Sequence, residues 1–147
     1  MSEVETLRAE HEVVEELARE LGRIVLRPLP PAPAAFERVR REFVVELKRH
    51  LRHEDAVLYP RLLQSLDGHV RAAARQFLDE AGGLARQFDE FCKRWDHATI
   101  VADWSGYCDD TTALLKLLDH RIAIEEFALY PLYAREIRGG RDLHEAA

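Results

Sequence analysis

At 147 residues, with 47% hydrophobic and 33% charged side chains, the chain has the proportions of one ordinary globular domain rather than of a disordered segment. Its net charge is −6 and its basic residues are scattered among acidic ones, which argues against a nucleic-acid partner, since that needs a basic face. No apolar run approaches the roughly 18 to 20 residues of a membrane span, and the acidic start Met1-Ser2-Glu3-Val4-Glu5 is unlike a basic, then apolar, leader.

The first predicted helix carries Val4, Leu7, His11, Val14, Ala18, Leu21 and Val25 at three- and four-residue steps. Pro28, Pro30, Pro31 and Pro33 stop it and form the clearest linker. A second stripe runs Phe36, Val39, Phe43, Leu47, His50, Glu54, Val57, with Pro60 expected to kink or end it. The third, Ala74, Phe77, Ala81, Leu84, Phe88, Phe91, Trp95, is interrupted by Gly82-Gly83, each costing roughly 1 kcal/mol relative to alanine in a helix. Asp96 to Asp103 reads as a loop. The fourth helix starts between Trp104 and Asp109, continues through Leu114, Leu118, Ile122, Leu129 and Leu132, and is expected to end at Gly139-Gly140. The expected fold is all-α, an up-down-up-down four-helix bundle over residues 1–138, with a short polar tail at 139–147.

Two stretches nearly repeat each other, 71 positions apart. One is His50-x-x-x-Glu54-Asp55-Ala56-Val57-Leu58-Tyr59-Pro60, the other His120-x-x-x-x-Glu125-Glu126-Phe127-Ala128-Leu129-Tyr130-Pro131. A histidine and a carboxylate one turn apart on a core stripe point the same way. A buried carboxylate without a cation is strongly disfavoured, so facing helices that each present such a pair are suited to hold a metal. His120 and Glu125, five apart, lie about 140° around a regular helix, and a local π-bulge is one way to bring them together; Glu126 is the alternative carboxylate, although Glu125 is the one that corresponds to Glu54. Tyr59 and Tyr130 follow one turn later. Capping the bundle end is their simpler role; donating to the carboxylates is the other. Two cysteines, Cys92 and Cys108, are too few for a disulfide framework and fit a reducing, cytoplasmic setting.

On these motifs the chain resembles the hemerythrin-like family, the HHE cation-binding domains, over nearly its whole length. The resemblance implies a four-helix bundle around a non-haem di-iron centre, with ligands at His11, at His50 and Glu54, and at His120 and Glu125. In that family the third helix normally adds one or two histidines, which serve one iron together with the fourth-helix histidine. The first- and second-helix histidines serve the other iron, and the carboxylates bridge. Here Phe77 and Ala81 stand at the third-helix positions, and no histidine lies between His69 and His97.

Three states of the site therefore stay open. One cation, iron or else zinc or manganese, is held by His11, His50, Glu54, Glu125 and His120. A second cation binds more weakly if Glu80 substitutes as a ligand. Or the site is empty and its side chains form a buried hydrogen-bond network. Ala81-Gly82-Gly83 either leaves a gap for a small ligand beside the site or is packed by Phe77 or a neighbour. The expected function is binding, sensing or storing dioxygen, nitric oxide or iron rather than turnover of an organic substrate. The rivals are a metal-free interaction module and a di-iron oxidase or peroxidase.

Overall fold

The computed structural model describes residues 2–145, with side chains through Gly139. Among these residues the chain is all-helical, without a strand. Helix α1 (Glu3–Ile24) opens on a capping box, Ser2 and Glu5 each bonding the other's backbone N–H. Helix α2 (Pro33–His53) starts with the last proline of the linker at its first turn, where a missing N–H costs nothing. Helix α4 (Gly68–Ala81) begins at the Asp67 cap, and Gly82-Gly83 separates it from α5 (Leu84–Arg94).

Pro60 and Pro131 do not end their rods at once, since helix runs on past each of them. Each is preceded by one widened, π-helical turn, Glu54–Leu58 in the first copy and Glu125–Leu129 in the second, before helix resumes as α3 (Tyr59–Leu63) and α8 (Tyr130–Glu145). Proline has no N–H, and its ring crowds the carbonyl four residues back. The wide turn relieves this, with Tyr59 N–H bonding Glu54 O and Tyr130 N–H bonding Glu125 O, five residues back. In both copies the core carboxylate opens that turn.

Two expectations are corrected. Residues within the expected 96–103 loop form a short helix, α6 (His97–Ala102), because Asp96 accepts from the Thr99 N–H and caps it. Helix α7 (Trp104–Ile124) follows at once under an Asp103 cap. The Gly139-Gly140 pair does not stop α8, which continues to Glu145; the end of the expected tail, 146–147, lies outside the described residues. No described helix is long and apolar enough to cross a membrane.

Helix α1 packs on α2 and α7, and α5 packs on both α2 and α7. The apolar core is in two parts. One gathers Val14, Leu21, Phe43, Leu47, Phe88 and Tyr107; the other Leu7, Leu58, Leu62, Phe77, Leu129 and Tyr130. His11, His50, Glu54, Arg121 and Glu125, all buried, fall between these two sets along their helices.

The glycine pair offers a sign test. A Cβ on Gly82 would collide with the Leu78 backbone carbonyl, whereas one on Gly83 meets only the end of Gln87 at 3.8 Å. Gly82→Ala should therefore destabilise by about 1–3 kcal/mol despite alanine's better helix propensity. Gly83→Ala should stay within about 0.5 kcal/mol of the parent. Urea melts of the two variants check this; equal behaviour would show that the backbone at residue 82 yields freely.

Candidate metal centre

Four buried side chains on three rods meet between the two apolar clusters. His11 comes from α1, His50 from α2, Glu54 from the first π turn and Glu125 from the second. Each offers one ligand atom, and these atoms all lie within 4.8 Å of one another. The two imidazole rings meet edge to face, 4.5 Å between centroids.

Both rings are anchored from behind. His11 Nδ1 lies 2.8 Å from Glu126 Oε1, and His50 Nδ1 lies 2.8 Å from Glu10 Oε1. An ionised carboxylate only accepts, so Nδ1 carries the proton in each ring and Nε2 is the inward-facing nitrogen. This carboxylate–histidine arrangement is the one that orients imidazole for a metal. The anchors are themselves held. Arg8 Nε donates to Glu126 at 3.0 Å, and His53 bridges Glu10 and Glu3 at 2.8 and 3.1 Å.

The two carboxylates are tied together crosswise. Tyr59, from the first copy of the repeat, donates to Glu125 Oε2 at 2.8 Å; Tyr130, from the second, donates to Glu54 Oε2 at 2.9 Å. Of the two roles open to these tyrosines, donation to the carboxylates is the one the structure displays. Tyr130 OH also lies 2.7 Å from His11 Nε2, and Glu125 Oε1 lies 3.1 Å from the same nitrogen. Burial first, then the neighbouring carboxylates, push both phenols up, so they stay protonated.

The carboxyl groups titrate in opposite directions. Burial and the charge of Glu54 push Glu125 up, against the pull of His11. Burial also works upward on Glu54 but is outweighed by His50, Glu125 and Arg121, which hold it below the usual carboxylate range. His50 is pulled down by burial and raised more strongly by Glu54 and Glu10. Without a cation the cluster thus gathers protons, as a set of metal ligands does when it releases them on loading.

One atom tests the fit directly. His50 Nε2 is buried and, within the described residues, has no hydrogen-bond partner; Glu54 Oε1 is 3.2 Å away but off the line a bond requires. A buried polar atom left so, aimed at two carboxylates and a second imidazole, is what a bound cation would satisfy. The donor set, two nitrogens and carboxylate oxygens, suits iron, zinc or manganese.

His120 does not join the group. It is exposed, and the inward place on α7 belongs to Arg121, which is 3% exposed. The π turn begins at Glu125, downstream, so the five-residue step from His120 remains ordinary α-helix and points away. Arg121 NH2 bonds Glu54 Oε1 at 3.2 Å and Tyr59 OH at 3.3 Å, and its Nε bonds Glu125 Oε2 at 3.4 Å. Its guanidinium carbon lies 5.6 Å from the Tyr59 ring and 5.8 Å from the Phe77 ring, which stack on each other. Phe77, at a position where the resemblance implies a third-helix ligand, thus packs with Arg121 against Tyr59. Glu80 is exposed and accepts from Gln76 at 3.2 Å, so it takes no part.

Arg121 and Glu10 have no place in the sequence reading, and Glu126, the alternative carboxylate there, holds His11 from behind while Glu125 takes the inner position. For Arg121 a signal existed: adding the repeat offset of 71 to His50 lands on Arg121, not on His120.

No curated protein and no solved structure matches the chain significantly. The family model of the hemerythrin HHE cation-binding domain does match, over residues 2–133. With a buried His/Glu group that can hold a metal at its centre, the chain belongs to the hemerythrin HHE cation-binding domain family.

Proposed function

We propose that the protein binds one transition-metal cation, iron in the first instance, through His11 Nε2, His50 Nε2, Glu54 and Glu125, at the middle of an up-down-up-down bundle. Its role is to bind or sense dioxygen or nitric oxide, or to store iron, in the reducing setting of the cytoplasm. The observation that carries this reading is the convergence of two imidazoles, each pinned at Nδ1 by an outer carboxylate, on two buried carboxylates. Iron held there would supply redox chemistry and affinity for small diatomic ligands. The chain's own part is to keep the imidazole Nε2 atoms inward, to hold each carboxylate through a tyrosine O–H, and to keep bulk water out.

A second reading has its own support. Arg121 already gives both carboxylates a cation, so a metal-free interaction module is charge-compensated without a metal.

Elemental analysis of protein purified without a metal-affinity tag separates the readings. Close to one metal per chain is expected, falling roughly tenfold or more in His50→Ala. A value near zero that cannot be raised by added Fe²⁺, Zn²⁺ or Mn²⁺ would leave the metal-free module. Two irons with an oxo-bridge absorption band would point instead to a di-iron oxidase or peroxidase.

A further inference from the structure

We infer that Arg121 is a built-in cation standing in the second half of the internal repeat where the first half offers a metal ligand, and that it restricts the site to a single dication. The inference rests on the proposed metal reading and goes beyond it by assigning what sets the number of cations and their affinity.

The repeat supplies the correspondence. Glu54 matches Glu125, Leu58 matches Leu129, Tyr59 matches Tyr130 and Pro60 matches Pro131, each pair 71 residues apart and placed alike, the first two on the widened turn and the last two at the start of the helix after it. The crossed tyrosine bonds show that the two halves are equivalent in space as well as in sequence. Under that operation His50 becomes Arg121. His50 Nε2 sits 3.2 Å from Glu54 four residues on; Arg121 Nε sits 3.4 Å from Glu125 four residues on. The same operation turns His11 into Gly82, which has no side chain. One half therefore presents two imidazoles, and the other presents a guanidinium and no imidazole.

The chemistry of the replacement is decisive. A guanidinium has no lone pair to give and keeps its charge at any working pH. It neutralises part of the charge of Glu54 and Glu125, enough to leave an attraction for one dication and little for another. It is not free to swing aside, since it is buried, bonded to both carboxylates and Tyr59, and packed against two aromatic rings. The same contacts hold the two carboxylates in place when no metal is bound.

The test is titration of tag-free, metal-stripped protein with Co²⁺, followed by equilibrium dialysis and by the cobalt absorption band, for the parent, Arg121→Gln and Arg121→Lys. The parent should take one Co²⁺ per chain. Arg121→Gln, which keeps an amide donor and loses the charge, should bind it at least roughly tenfold more tightly. Arg121→Lys, which keeps the charge, should stay within a few-fold of the parent. Equal or weaker binding by Arg121→Gln, with the parent still taking one Co²⁺, overturns this inference and leaves the metal reading intact; so does a parent that takes two. A parent that takes none defeats the metal reading. In that case the inference, which rests on that reading, falls with it, whether Arg121→Gln takes one Co²⁺ or none. If Arg121→Gln folds only with Co²⁺ present, at concentrations below those that load the parent, the inference stands. If it does not fold at all, Arg121→Lys decides: an affinity near the parent's upholds the inference, and a change beyond tenfold or a second equivalent overturns it.

Discussion

Glu54→Leu should lower the stability of the metal-free protein by about 3–5 kcal/mol, read as a fall in the urea midpoint at unchanged slope. Leucine is similar enough in size that little cavity forms, so the loss comes from charge. Glu54 is 0% exposed and accepts from Arg121 at 3.2 Å and from Tyr130 at 2.9 Å. Its removal leaves the Arg121 guanidinium with the longer contacts to Glu125, 3.4 Å, and Tyr59, 3.3 Å, and leaves Tyr130 only His11 Nε2, at 2.7 Å, as acceptor. Glu54→Gln, which keeps the shape and an accepting oxygen, should cost less than half as much. A leucine variant as stable as the parent would mean that the ionic layer contributes nothing net, as some buried ion pairs do when exchanged for apolar groups. Metal uptake separates the two effects, because Glu54→Leu should lose it even if the fold tolerates the change.

Glu10→Ala and Glu126→Ala should each weaken metal binding by about 10–100-fold while leaving the melt nearly unchanged. Neither residue touches the centre of the cluster. Each holds one imidazole by its Nδ1 atom at 2.8 Å, fixing both the tautomer and the direction of the ring. Glu10 should matter more, since it also takes His53 and is the less exposed, 15% against 35%. Isothermal titration of both variants with Zn²⁺ gives the answer. Parent-like affinity in both, alongside a clear loss in His50→Ala, would show that helix packing alone aims the rings.

The rods and their inner faces were readable because periodicity reports burial. The stripes through Leu7, His11 and Val14 and through Leu47, His50 and Glu54 carry residues that are buried in the structure. The glycine pair marked a real break in the third rod. What periodicity does not carry is phase across an irregular turn. A π-bulge between His120 and Glu125 would recruit the histidine, but each widened turn begins at its carboxylate, ahead of the proline that crowds it. His120 is left on ordinary helix, outside. Arg121 escaped notice because an arginine on an apolar stripe is most simply read as a side chain reaching for solvent; only the repeat offset distinguishes it. Glu10 sits beside His11 and looks like an ordinary surface acid until the rings are placed, and Glu126, legible as an alternative ligand, turns out to hold His11 from outside instead. Helix α6 is only six residues long, too short to show a period, and Asp96 was its one signal.

Placing a charged layer between two separate hydrocarbon clusters also settles how the rods align lengthwise. If one rod slid by a single turn past the others, Glu54 or Arg121 would face leucine and valine, and each stranded charge would cost several kcal/mol. Leucine-rich surfaces by themselves tolerate such slippage, much as a zipper closes with its teeth offset. Here the polar stratum works as a key cut at one height, so a sequence whose greasy faces are nearly interchangeable still has one way to close.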